Sequence, residues 1–99
     1  MELTLTVPFG GSGVTAVKAG DSATVYLPDM MASVGGTVTY VSSTPYISEK
    51  GETMYSVEIK VKNPGSLTEG TSADAEISTA QGVLKNAEPG VLKYINKKL

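Results

Sequence analysis

This chain is written in short runs of strict apolar/polar alternation, each stopped by glycine or proline. The cleanest run covers residues 55–62. Tyr55, Val57, Ile59 and Val61 fall on one side of it, and Ser56, Glu58, Lys60 and Lys62 on the other. Successive side chains of a strand point to opposite faces, so this period of two describes a half-buried strand with one wet face. Asn63, Pro64 and Gly65 stop it, because proline cannot donate to a ladder and glycine frees the turn. A second run follows Gly70, with Ala73, Ala75 and Ile77 on one face and Asp74 and Glu76 on the other.

The earlier chain repeats the pattern. Leu3, Leu5 and Val7 alternate with polar residues, and Pro8 is expected to end that strand. Ala23, Val25 and Leu27 form another, ended by Pro28. Residues 29–33 read as a loop or short connection. Val34, Gly36, Val38 and Tyr40 then alternate with Thr37, Thr39 and Val41. Gly35 and Gly36 place a bulge or a tight corner at the start of that strand. Residues 43–53 are a loop, with Pro45 keeping its first residues extended.

One stretch mimics a nucleotide site. Gly11, Gly13 and Ala16 match the relaxed form of the dinucleotide fingerprint after a strand. That motif works only where a long helix holds pyrophosphate at its N-terminus inside a βαβ unit. Here a helix could run only from Val14 to Ala19 before Gly20 breaks it, and further strands follow. The stretch therefore reads as a turn feeding one helical turn, with Val14 and Val17 seating it on a mouth of the barrel.

An internal repeat is visible. Residues 17–25 echo residues 67–75, with Gly20/Gly70, Ser22/Ser72 and Ala23/Ala73 identical and the apolar positions matched. Two turn-plus-strand units in one small barrel imply a pseudo-two-fold arrangement. The tail carries Gly-Val-Leu-Lys twice, at Gly82 and Gly90, around Pro89-Gly90. This predicts a C-terminal hairpin turning at Pro89-Gly90, with Tyr94 and Ile95 extending its second strand and residues 96–99 fraying.

The spacing of Tyr55, Val57, Ile59, Val61, Asn63, Pro64, Leu67, Gly70, Ala73 and Ile77 resembles the β-barrel domain of bacterial periplasmic adaptors, the membrane fusion proteins of export pumps. Residues 17–27 and 34–43 resemble earlier strands of the same barrel, so the resemblance covers roughly residues 1–79. Many members carry Met where this chain has Thr71. The resemblance implies an extracytoplasmic piece of a longer anchored protein, a barrel over 1–79, and an extension over 80–99 toward a membrane-proximal region. Its implied partners are an inner-membrane transporter of ABC or RND type and other adaptor protomers. Its implied work is spacing and docking, without catalysis.

Composition narrows the chemistry. Ninety-nine residues suit one small domain. The chain has neither Cys nor His, which removes disulfides, thiolate nucleophiles, most zinc sites and imidazole acid–base catalysis. Nearly all of the ten acidic residues fall on expected wet faces or in loops, and no apolar pocket is evident to raise a carboxyl pKa. Glu49 and Glu52 lack the dense oxygen spacing of a calcium loop. Eight lysines, no arginine and a net charge of −2 argue against nucleic acid, whose binding is driven by phosphate neutralisation. Tyr26, Tyr40 and Tyr55 read as β-formers with hydroxyls at the barrel rim. No apolar run approaches the ~20 residues of a membrane span, so direct insertion by this segment is not expected.

The overall expectation is an all-β fold: a small antiparallel barrel of about six strands, one short helical turn and a C-terminal hairpin. No cofactor or metal is expected. The alternative is an extracellular β-sandwich module for binding or adhesion. Gly20, Gly70, Asn63 and Pro64 are the expected structural turns. Met30, Met31, Tyr46 and Ile47 are bulky apolar residues in expected loops. Two roles are open to them: plugs folded back over the barrel ends, or a contact surface for a partner protein.

Overall fold

The computed structural model describes residues 2–62, 65 and 67–94, with Ser12 described by its backbone only. Among the described residues there are eight strands: β1 (Leu3–Gly10), β2 (Ser22–Leu27), β3 (Ala32–Val41), β4 (Tyr46–Ile47), β5 (Thr53–Val61), β6 (Ser72–Thr79), β7 (Gly82–Lys85) and β8 (Gly90–Tyr94). One helical turn, α1 (Gly11–Val14), follows β1, and a 3-10 turn (Pro28–Met30) links β2 to β3. The chain is an all-β barrel. Six antiparallel strands close in the order β1-β8-β6-β2-β3-β5, with β5 returning to β1, while β4 adds to β5 and β7 to β6. Closure removes the open edges that a sheet of these strands would expose.

The alternation decides what lies inside. Leu3, Leu5, Val7 and Phe9 of β1 meet Val57, Ile59 and Val61 of β5, and Val25, Leu27, Ala75, Ile77 and Leu92 are among the other core residues. Among the described residues no polar or charged residue is buried. Ile59 is fully buried and Lys60 points outward to an exposed ion pair with Glu2 at 2.9 Å, as the strand's period requires.

Two local expectations are corrected. Pro8 does not end β1, which continues to Gly10 beside Met54. In an antiparallel strand the N–H and C=O of one residue point to the same side. The Pro8 carbonyl accepts from Ala87 N–H at 2.8 Å, away from β5, so the missing N–H costs the β1–β5 ladder nothing. The helical turn comes earlier than expected, at Gly11–Val14, yet Val14 and Val17 are both buried as the spacing demanded. A Cβ at Gly13 would meet Leu84 Cδ1 at 2.5 Å, so the Leu84 side chain packs over this turn and would have to move aside for one.

The phase of β3 also shifts. Its register with β5 slips between Val38 and Tyr40, leaving Thr39 as the extra residue. Tyr40 is therefore turned outward and Val41 packs on the core, reversing the expected alternation beyond Val38. The bulge thus falls at Thr39. The expected tight corner is at Gly36, where a Cβ would meet Ile59 Cγ2 at 2.8 Å and the Lys60 carbonyl at 2.9 Å.

The tail departs most from expectation. β7 and β8 do not pair with each other; β7 pairs with β6 through a turn at Thr79/Gly82, and β8 pairs with β1 and β6. Pro89-Gly90 is not a hairpin turn. Gly90 lacks a positive φ and is a packing glycine, since a Cβ would lie 2.6 Å from the Thr6 carbonyl. The barrel accordingly does not finish at residue 79. Its closing strand is β8, and Leu92 is fully buried. The expected extension of this strand by Ile95, the fraying of 96–99 and the turn residues Asn63 and Pro64 lie outside the described residues.

The repeat is real and organises the barrel. Gly20 (φ 99°) and Gly70 (φ 91°) both occupy the left-handed region that favours glycine. Gly20 N–H donates to the Val38 carbonyl at 2.7 Å, and Val38 N–H to Asp21 at 2.9 Å. Gly70 N–H donates to the Leu92 carbonyl at 2.8 Å, and Leu92 N–H to Thr71 at 2.8 Å. The correspondence extends across the barrel. Ala23 faces Gly36 as Ala73 faces Gly90, and Val38 faces Ile59 as Leu92 faces Leu5. Strands β1, β2 and β3 thus match β5, β6 and the β7–β8 segment. The pseudo-two-fold axis passes through the β1–β5 and β2–β6 seams.

Candidate functional site

Met30, Met31, Tyr46 and Ile47 occupy opposite ends of β3. Met30 closes the 3-10 turn before this strand, and Met31 follows it with φ 50°, its N–H donating to the Pro28 carbonyl at 3.2 Å. Met31 is 94% exposed and Met30 44%. A left-handed backbone is uncommon for a residue with a side chain, and here it aims a bare thioether at solvent. Tyr46 and Ile47 form β4, opposite Met54 and Thr53 of β5, and Ile47 is 65% exposed.

None of the four plugs the barrel. The core positions that the plug role would need are taken by Val14 and Val17, after β1, and by Leu67, after β5. Antiparallel β1 and β5 finish at opposite mouths, so each mouth has its own apolar stopper. The two exposed pairs are separate surfaces, because the whole length of β3 lies between them.

Met31 borders an open cleft of ≈ 340 Å³ with Tyr26, Leu27, Pro28, Ala32 and Ser33. Tyr26 is the ridge between this cleft and a second one of ≈ 420 Å³, lined by Asp74, Ala75, Glu76, Lys85 and Asn86. Strand pairing builds the ridge: Tyr26 stands opposite Asp74, and Glu76 opposite Thr24. The Tyr26 hydroxyl donates to Glu76 Oε1 at 3.1 Å, and Lys85 Nζ lies 3.6 Å from Glu76 Oε2. Asn86 spans the rest. Its Oδ1 accepts from Ala75 N–H at 3.1 Å, and its Nδ2 donates to Asp74 Oδ1 at 3.1 Å and to the Glu88 carbonyl.

These bonds tie the polar group together and shift one of its members. The hydrogen bond to Glu76, and then its negative charge, push the Tyr26 phenol above its ordinary value, with desolvation a minor cause. A raised value leaves less of this phenol ionised near neutral pH. Among the described residues no three acidic side chains converge to hold a metal ion. The sequence placed the Tyr26 hydroxyl at the rim, but it lies on the outer wall. The repeat carried the missing signal, because Tyr26 and Glu76 stand at equivalent positions, fifty residues apart.

The chain matches no protein-family model, no curated protein and no solved structure.

Proposed function

We propose that this chain is a non-catalytic docking barrel: the barrel domain of a membrane fusion adaptor, placed outside the cytoplasm, that spaces and docks an inner-membrane transporter of ABC or RND type and neighbouring adaptor protomers. The observation that supports this most is the exposure of Met31. The second half of the barrel supplies an internal control. At the same separation from Ile77 that Met30 and Met31 have from Leu27, it carries Ala80 and Gln81. Its turn is stabilised instead by Thr79, whose hydroxyl donates to the Gly82 carbonyl at 2.7 Å and accepts from Gln81 N–H at 3.1 Å. A connection here thus folds without large apolar residues, and two methionines in water call for another explanation. Soft, unbranched thioethers suit adaptable protein contacts.

The residues that resemble the adaptor family support the same reading, since Tyr55, Val57, Ile59, Val61, Ala73 and Ile77 lie on β5 and β6. The sandwich alternative requires two separate packed sheets, whereas these strands close on themselves. The test is paired. Met30→Ser/Met31→Ser and Tyr46→Ser/Ile47→Ser variants of the full-length protein are assayed for co-purification with its transporter, and the isolated domains for thermal melting. Weakened co-purification with unchanged melting is expected. Folded variants that assemble normally would remove both pairs as docking sites.

A further inference from the structure

We infer that Met31, with Met30 beside it, is a site of reversible oxidation by peroxide, and that its sulfoxide disconnects the docking contact without unfolding the barrel. This rests on the docking role proposed above. The chain has no cysteine, so methionine thioethers are its only sulfur. Among the described methionines exposure is graded: Met31 94%, Met30 44% and Met54 4%. Met31 is presented by a left-handed residue at the tip of a turn, beside an open cleft, where a small oxidant has free approach. Met54 lies under β4, directly opposite Tyr46.

The chemistry balances with a hydroperoxide as oxidant. A sulfur lone pair attacks one peroxide oxygen, the O–O bond breaks, and the sulfoxide forms as water or an alcohol leaves. Sulfur is oxidised by two electrons and the peroxide is reduced by two. The product is polar where the thioether was apolar, and methionine sulfoxide reductases reverse it. Usually such a change damages a fold by wetting its core. Here the oxygen would be added in water, and the equivalent position in the second half already carries polar Gln81. The modification therefore alters the surface and leaves the core untouched, which separates a switch from a lesion.

The experiment treats the full-length protein with hydrogen peroxide. Peptide mass mapping follows the gain of one oxygen at each methionine, and co-purification with the transporter is measured before and after. Met31 is expected to oxidise first, Met30 next and Met54 last, with an unchanged melt and a loss of co-purified transporter. In a Met30→Leu/Met31→Leu variant, apolar but without sulfur, peroxide should leave co-purified transporter at the level of the untreated variant. Met31→Gln should assemble poorly without any oxidant. Oxidation of Met54 as fast as Met31, or peroxide sensitivity surviving in the double leucine variant, overturns the oxidation inference. Normal assembly by Met31→Gln overturns the docking role of this tip and, with it, the switch.

Discussion

The two halves of the barrel solve the same problem with different economy. In the first, β3 runs unbroken beside β2 from Ala32 to Thr37 and continues beside β5. In the second, the matching path is cut into β7 and β8, both lying along one edge of β6. Gly35 by itself separates Val34 from Gly36, whereas Ala87, Glu88 and Pro89 separate Asn86 from Gly90. Asn86 bridges the cut: its backbone N–H donates to the Ala75 carbonyl at 3.2 Å and its side chain accepts from Ala75 N–H, so one residue replaces a stretch of ladder. Extra residues are tolerated where a side chain can take over the backbone's hydrogen bonds. What both halves keep is the left-handed glycine, the strand that follows it, and one glycine pressed against a neighbouring strand. These are the parts that closure requires.

The comparison can be broken first at the seam. Leu5 and Ile59 face each other across the pseudo-two-fold axis and are both fully buried. Leu5→Ala and Ile59→Ala should each cost about 2–5 kcal/mol, by nearly equal amounts, while Lys60→Ala costs little. Chemical denaturation of the three variants checks this. A more damaging Lys60→Ala would invert the assignment of inner and outer faces.

The pressed glycines come next. Gly36→Ala and Gly90→Ala should destabilise by about 1–3 kcal/mol through overpacking. Gly90→Ala should be the worse, because its Cβ would meet a carbonyl at 2.6 Å with Val7 Cγ1 at 2.9 Å also in the way. A harmless Gly90→Ala would show that β8 sits farther from β1 than described. Smaller again, Gly20→Ala and Gly70→Ala should each cost about 1–2 kcal/mol, since both hold positive φ in otherwise open space. Unequal melting-temperature shifts for this pair would sharpen the comparison by showing where the halves stop being equivalent.

The smallest effect concerns the bond that joins equivalent positions. With its value raised by Glu76, Tyr26 holds its proton to higher pH in the fold than in the unfolded chain. The bond therefore favours folding below the ordinary phenol value of 10.0 and is lost as pH rises through the raised one. Glu76→Gln should bring the Tyr26 titration, followed by ultraviolet absorbance, back toward that ordinary value. No movement would mean that the bond does not persist in solution.

The parts of this fold legible in the sequence were those set by local sterics. Alternation locates β2, β5 and β6, and the Gly20/Gly70 echo carries the pseudo-symmetry. The errors arose where a local signal has two physical causes. Pro8 and Pro89-Gly90 read as breaks, but a proline is harmless at a position whose N–H faces no ladder, and a glycine can answer crowding as well as a turn. Nothing local distinguishes these cases, because the crowding partner of Gly90 is Thr6, at the other end of the chain. The bulge at Thr39 was likewise hidden, since a slip in register shows only against β5. Exposure of Met30, Met31, Tyr46 and Ile47 depended on which side chains filled the mouths, and Val14, Val17 and Leu67 had already done so.

The pairing of Leu3 with Tyr94 sets how the domain answers a pull. The described chain begins and finishes on adjacent antiparallel strands, so tension applied through these two points acts on β1 and β8 from one side. Ladder bonds between them would then be loaded singly, the first yielding before the second bears any force, as a zipper opens. A ladder loaded one bond at a time yields at a lower tension than the same ladder loaded all at once. Pulling instead between Leu3 and the far end of β5 would shear a ladder that spans all of β1, and all of its bonds would have to fail together.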